Sequence, residues 1–212
     1  LQQKTAIGFE KLLGLVAEAH PKIRIRFSTS NPQDMSLEVL QVMNKYNNIC
    51  KHIHLPVQSG SNRILKKMNR QHTREEYFEL IDSIRKIIPD CSISQDMIAG
   101  FPTETDKMFD NSLKLVKECN LTWLHVFPYS PRVGTPAARM PQVNKLTIKN
   151  RAAELRALGK NQVEKHLKTE IGQTHYILME TPHVGRTEQF TEVQLTIEQN
   201  PGQIVKKTII GF

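Results

Sequence analysis

Cysteine is scarce in this chain and scattered. Cys50, Cys91 and Cys119 lie 41 and 28 residues apart, so no two share the short spacing that zinc or iron–sulfur ligands need. An odd, sparse set also makes no disulfide framework. The three read as reduced thiols used as small hydrophobes. Long apolar runs are missing too: nothing approaches the roughly 18 residues of a membrane span, and nothing reads as a signal peptide. That leaves no membrane role and an expectation of a cytoplasmic chain. There is no initiator Met ahead of Leu1-Gln2-Gln3, and the expectation is a fragment of a longer polypeptide. Acidic residues are the minority charge, 21 against 29 Lys and Arg. This balance favours a polyanionic partner such as nucleic acid.

What is present alternates between helix and strand. Apolar residues recur at helical spacing over 5–19, 35–46, 106–119 and 145–167. Another helix is expected from Thr73, with Glu76 completing a capping box, to about Ile88. Residues 23–30, 52–59, 92–100 and 122–129 read as strands. Their starts, near 23, 52, 91 and 122, fall at the spacing of successive βα units, so an α/β fold with a parallel sheet follows. After Gly172 the chain turns rich in Thr, Val and Ile, with Gly185 and Pro201-Gly202 read as turns. Residues 1–170 are thus expected to form one unit and 171–212 a small all-β module.

The strands are polar on one side. Arg24, Arg26, Ser28 and Ser30 share a face, as do His52, His54 and Gln58, and Ser92, Ser94 and Asp96; His125 aligns with Phe127 and Tyr129. A parallel sheet covered on both faces would be apolar on both. With helices on the apolar side, the polar side must line something wet or occupied. A partial parallel barrel with a ligand in its lumen fits, and a packed eight-stranded core does not. Contacts should gather at the strand carboxyl ends. His52, His54 and His125 could converge in that lumen, but no metal site is expected from them.

Three motifs stand at strand ends in chain order: HLPVQSGS (His54 to Ser61) followed by MNRQHTREEY (Met68 to Tyr77), DMIAGFPTET (Asp96 to Thr105), and HVFPYSPRVGTPAARMPQV (His125 to Val143). Over nearly the whole chain this trio resembles the tRNA methylthiotransferases of the radical S-adenosylmethionine (SAM) class. The resemblance implies a partial radical SAM barrel followed by a tRNA-binding TRAM module, here residues 171–212 and incomplete. It implies SAM as cofactor, tRNA as partner, and transfer of a methylthio group to C2 of an N6-modified adenosine beside the anticodon. By the same resemblance Gln58 and Arg70 would contact SAM, Asp96 and Ser30 would lie near it at their strand ends, and Ile98, Gly100 and Phe127 would pack on its adenine. The chemistry suits them: an amide both donates and accepts, a guanidinium forks onto a carboxylate, and glycine lets backbone approach a purine. Plainer readings stay open. Gln58 or Asp96 could close a turn, Arg70 could be a solvated charge, and Ile98 could fill the core. Thr103 reads as a helix N-cap with Asp106 reciprocating.

The departures matter as much. The family holds a [4Fe–4S] cluster on a CxxxCxxC loop and a second on three further cysteines, and neither set is in this sequence. The clusters are expected in the full-length parent, with none bound by this chain, which alone should be inert. Residues 23–105 look like the branch acting on isopentenyladenosine, and 123–143 with the tail like the branch acting on threonylcarbamoyladenosine. A ribosomal-protein methylthiotransferase and a non-catalytic tRNA-binding remnant are the competing readings. Phosphate contacts are expected mainly from the long helix, through Lys145, Lys149, Arg151, Arg156, Lys160, Lys165 and Lys168.

Overall fold

In the computed structural model, residues 7–28 and 31–212 are described; Ser30, one of the expected cofactor residues, lies outside them. Helix α1 (Phe9–Ala19) and helix α2 (Leu37–Lys45) precede β1 (His52–His54); α3 (Asn62–Lys67) and α4 (Arg74–Ile87) lead to β2 (Ser92–Ala99); α5 (Asp106–Glu118) leads to β3 (Trp123–Pro128); and α6 (Lys145–Glu170) closes the α/β part. The three strands form a parallel sheet in sequence order, with His54 beside Ser94 and Asp96 beside His125. Helices on one side and polar residues on the other give the expected α/β architecture of a partial barrel.

The local chemistry is legible in α4. Thr73 accepts from Glu76 N–H while the Glu76 carboxylate accepts from Thr73 N–H at 2.7 Å, a complete capping box. Tyr77, Ile81 and Ile84 then fall on one face and are buried against β1 and β2, each such side chain contributing about 1.5–3 kcal/mol of hydrophobic stabilisation. On the sheet's apolar face Ile53, Leu55, Val57, Ile93 and Met97 are fully buried. Gln95 is buried there as well, with neither side-chain polar atom bonded, and nothing in the structure explains it.

Several expectations need correction. Of the strand expected over 23–30, the described part, 23–28, does not form one: among those residues Ile25 alone bridges Ile49, in parallel sense, and 29 and 30 lie outside the described residues. The strand expected over 52–59 stops at His54, because Pro56 has no N–H to give the ladder, and pairing resumes only where Gln58 bridges Met97. Helix α3, a mere six residues, falls where the sequence pattern predicts no helix. Thr103 is not a cap. Thr105 caps α5 through Met108 N–H, while Thr103 sits at φ 69° with its N–H on Pro141 O at 3.2 Å and its hydroxyl receiving Lys67 Nζ at 2.5 Å.

After α6, strands β4 (Thr174–Met179), β5 (Val184–Arg186), β6 (Glu192–Gln194) and β7 (Ile204–Thr208) form a separate antiparallel sheet in the order β6-β5-β4-β7. Pro201-Gly202 is a turn, with Gly202 at φ 83°. Gly185 is not: it lies within β5, where a Cβ would come 2.6 Å from both Ile177 Cγ2 and Leu178 O. This close crossing of chains, rather than a turn, requires glycine there.

Candidate functional site

The polar strand faces look into a lumen with a closed floor. At the amino ends of the strands, Arg24 donates to Arg186 O at 2.8 Å and to Tyr176 O at 2.5 Å, and Arg26 donates to Thr187 O at 2.6 Å. Ser92 Oγ donates to Gln189 O at 2.5 Å, and the Phe190 ring stacks on His52 with centroids 5.1 Å apart. The β5–β6 loop of the C-terminal sheet thus seals the end of the barrel away from the motifs. The arginines read as part of a wet lumen wall instead spend their donors on another element's carbonyls.

Above this floor the hydrogen bonds run in one direction. Ser92 gives its proton to a carbonyl, so it accepts from His52 Nδ1–H at 2.8 Å. Burial, reinforced by Arg26, holds the His52 imidazole down to a pKa of about 3, leaving Nε2 bare to accept from Ser94 Oγ at 3.2 Å. Ser94 in turn accepts from His54 Nδ1–H at 2.9 Å. His54 therefore presents Nε2 to the lumen, 3.6 Å from Asp96 Oδ2, and its ring lies 5.9 Å from that of His125.

At the carboxyl ends the three motifs meet. Gln58 is buried at φ 69°; its N–H donates to Asp96 O and its carbonyl accepts Ile98 N–H, both at 3.0 Å, which joins the first motif to the second. Ile98 lies in register with Phe127, both on the lumen face, with Phe127 half-exposed. Gly100, at φ 76°, turns the chain out of β2, and its N–H donates to Glu104 Oε2 at 2.9 Å. Gln58, Asp96, Ile98, Gly100 and Phe127 thus share one wall and rim. Arg70 is half-buried, its N–H on Leu65 O at 2.9 Å, on the segment that leads back to the buried His72 beside Val57, and no hydrogen bond ties its side chain to this wall.

One part of the site escaped the sequence reading. Arg151, expected among the phosphate contacts, is buried. Its Nη1 donates to Glu104 O at 3.0 Å and to Oε2 at 2.9 Å, and its Nη2 to Asp106 Oδ1 at 2.7 Å. Burial pushes the Glu104 carboxyl up, against the opposing pull of Gly100 N–H and Arg151. Helix α6 therefore fixes the loop that ends β2. Only its position on the inner face of a predicted helix, beside Ala152 and one turn from Leu155, could have signalled burial.

The comparisons agree with this architecture. A family model described as the radical SAM superfamily matches residues 5–116, more than half of the chain, and the chain belongs to that superfamily. Within it, the sequence is similar to tRNA methylthiotransferases. It is 52% identical over 182 residues to the tRNA-2-methylthio-N(6)-dimethylallyladenosine synthase of Christiangramia forsetii, covering 85% of this chain and 38% of that protein. It is 41% identical over 205 residues to the threonylcarbamoyladenosine tRNA methylthiotransferase of Rickettsia prowazekii, covering 96% and 49%. Both substrate branches suggested by the motifs are represented, and the chain spans less than half the length of either relative. Among solved structures, coproporphyrinogen III oxidase from Escherichia coli superposes with a TM-score of 0.58 at 20% identity, over 94% of this chain and 48% of that one, a likeness of fold alone.

The donor sets differ in fit for the groups this family uses. The rim fits SAM through a half-exposed apolar pair for a purine and an amide and a carboxylate for ribose or amino acid; Gly100, expected against the adenine, is instead buried, and the space its missing Cβ leaves is taken by Ile148 of α6, whose Cγ1 a Cβ would meet at 2.5 Å. The cysteines do not fit a cluster. Cys50, Cys91 and Cys119 are buried and free on separate elements, and burial pushes the Cys91 and Cys119 thiols up to about 12. A raised pKa keeps the thiol form, and only the thiolate reacts. Alkylation by iodoacetamide is thus expected to stay slow from pH 7 to pH 9 and to become complete in guanidinium chloride. Fast labelling of native protein in that range would show the thiols to be accessible.

Proposed function

We propose that this chain forms the SAM-binding rim, lumen and RNA-facing surface of a tRNA methylthiotransferase, whose complete form adds a methylthio group to an N6-modified adenosine of tRNA in the cytoplasm. The observation that carries the reading is the convergence of Gln58, Asp96, Ile98, Gly100 and Phe127 from separate βα units on one rim above a polar lumen. SAM would lie along that rim, adenine over the Ile98–Phe127 pair, with Gln58 and Asp96 toward its polar groups and Arg70 at the outer edge. When bound, SAM supplies the methyl group and the means of activating a C–H bond. This chain's own residues bind and orient it, and the closed floor keeps bulk water from entering behind the substrate. The clusters belong to cysteines other than the three here.

The C-terminal sheet is read as the TRAM-like module. Residues Lys145, Lys149, Arg156 and Lys160 are exposed along α6 and would meet phosphates. Among the described residues no helix is long and apolar enough to cross a membrane.

S-adenosylhomocysteine, which carries the same adenosine and needs no iron, is the probe for the rim. Phe127→Ala should weaken its binding about tenfold, consistent with roughly 1–3 kcal/mol for an aromatic stacked on a base, with unchanged circular dichroism. For RNA, Lys149→Gln with Lys160→Gln should lower tRNA affinity and reduce the slope of log K against log salt by about 0.7–0.9 for each phosphate left without its cation. A Phe127→Ala chain that binds the probe as well as the parent would remove SAM from this rim, and an unchanged salt slope would remove α6 from the RNA surface.

A further inference from the structure

We propose that His54, Asp96 and His125 form a binding site for one divalent transition-metal ion of the zinc class in the wall of the lumen. Each of the three parallel strands contributes one ligand, and the register that sets Asp96 beside His125 and His54 beside Ser94 brings them together on the polar face. Their ligand atoms all lie within 4.8 Å of one another. The separation between His54 Nε2 and Asp96 Oδ2 is 3.6 Å, too long for a hydrogen bond. Two atoms each about 2.0–2.2 Å from a tetrahedral zinc stand about 3.3–3.6 Å apart, which matches the spacing of two ligands of one ion.

The support around the triad is of the kind a metal ligand needs. His54 Nδ1 is engaged by Ser94 Oγ at 2.9 Å, and Ser94, itself buried, is held by His52. That bond fixes the ring and commits the other nitrogen to the lumen, as outer hydrogen bonds do for ligating imidazoles. Two imidazoles with one carboxylate suit zinc, cobalt, nickel or ferrous iron and not calcium or magnesium, which prefer oxygen throughout. The fourth position opens on the lumen, where water or a ligand can take it. His52 is not a member, since both of its ring nitrogens are spent on Ser92 and Ser94. From the sequence no metal site is expected of the three histidines; the register brings together two of them with a carboxylate.

Asp96 turns Oδ2 toward His54 and keeps its other oxygen for the rim, and the ion requires neither SAM nor RNA, so the test, run without either, stands apart from the proposed function. The full chain, stripped with a chelator and dialysed, is titrated with Zn²⁺ by calorimetry and with Co²⁺ by visible absorption. The expected result is one ion per chain, with the intense d–d bands of four-coordinate cobalt. His125→Ala, a change at an exposed edge-strand position, and Asp96→Asn should each weaken Zn²⁺ binding at least tenfold. Ser94→Ala, which keeps all three ligands, should weaken it about 10–100-fold. His183→Ala, on the exposed surface of the C-terminal sheet, should change nothing. Absence of stoichiometric binding to the parent chain would overturn the proposal. So would affinity that survives both His125→Ala and Asp96→Asn, or that is lost equally in His183→Ala.

Discussion

Replacing Arg151 with Met is expected to lower the free energy of unfolding by about 3–5 kcal/mol, the cost of breaking a buried ion pair from one side. The substitution keeps the aliphatic stem but leaves Glu104, whose side chain is 1% exposed, with an uncompensated charge. Two carboxylates lose a donor at once, Glu104 inside and Asp106 at the surface. Most of the destabilisation comes from Glu104, since Asp106 remains solvated. The effect carries a pH signature. Without the guanidinium, the Glu104 carboxyl, already pushed up by burial, rises further and can take a proton. The destabilisation should therefore shrink as pH falls toward the carboxylate range, because the buried group then becomes neutral. Urea denaturation at pH 7.5 and at pH 5 measures both parts. A change below about 1 kcal/mol at neutral pH would mean that the pair is solvated and does not anchor the loop.

Gly60→Ala should be the more damaging of the conservative changes in the motifs. A Cβ at Gly60 would stand 2.4 Å from Asn111 O, 2.6 Å from its carbonyl carbon and 2.7 Å from Ser112 Cα. These are main-chain atoms of α5 that no rotamer change can move aside. The Gly60 N–H also donates to Ser112 Oγ at 2.9 Å, so the two elements must separate to admit one methyl group. The expected cost lies at the upper end of the roughly 1–3 kcal/mol of overpacking. Because Gln58 is two residues upstream and already at φ 69°, the displacement should also weaken S-adenosylhomocysteine binding. Thermal unfolding and calorimetry on the same variant separate the two effects. A variant with parent-like stability would show that α5 gives way easily.

Much of the architecture was legible because it is written in short-range chemistry. The capping box at Thr73 and Glu76 fixed the start of α4, and alternation at His52, His54, Ser92, Ser94 and Asp96 revealed a polar face before any strand was placed. What escaped depends on long-range partners. Thr103 and Thr105 are equally good caps locally; only the tie of Thr103 to Pro141 decides between them. Arg151 looks like its neighbours on α6 until Glu104 is seen across from it, 47 residues away. The pairing of His54 with Asp96 and His125 follows from strand register, which alternation does not encode. Gly185 resembles any turn glycine until Ile177 is found packed over it. The candidate rim was read largely from motifs, whereas the closed floor beneath it involves Arg24, Arg26 and a loop some 160 residues later.

That floor has a consequence for how the chain is made. The carbonyls that receive Arg24 and Arg26 come from residues 152 to 162 positions downstream. At about 5–20 residues per second of synthesis, roughly eight to thirty seconds pass between the emergence of the two arginines and that of their acceptors. During that interval the sheet can assemble on local contacts with its lower end open and two cations facing inward. Closure comes late and rests on highly non-local contacts, the kind that slow folding. The nascent α/β part is thus a trough open at both ends, and it gains an end wall only when the β5–β6 loop arrives.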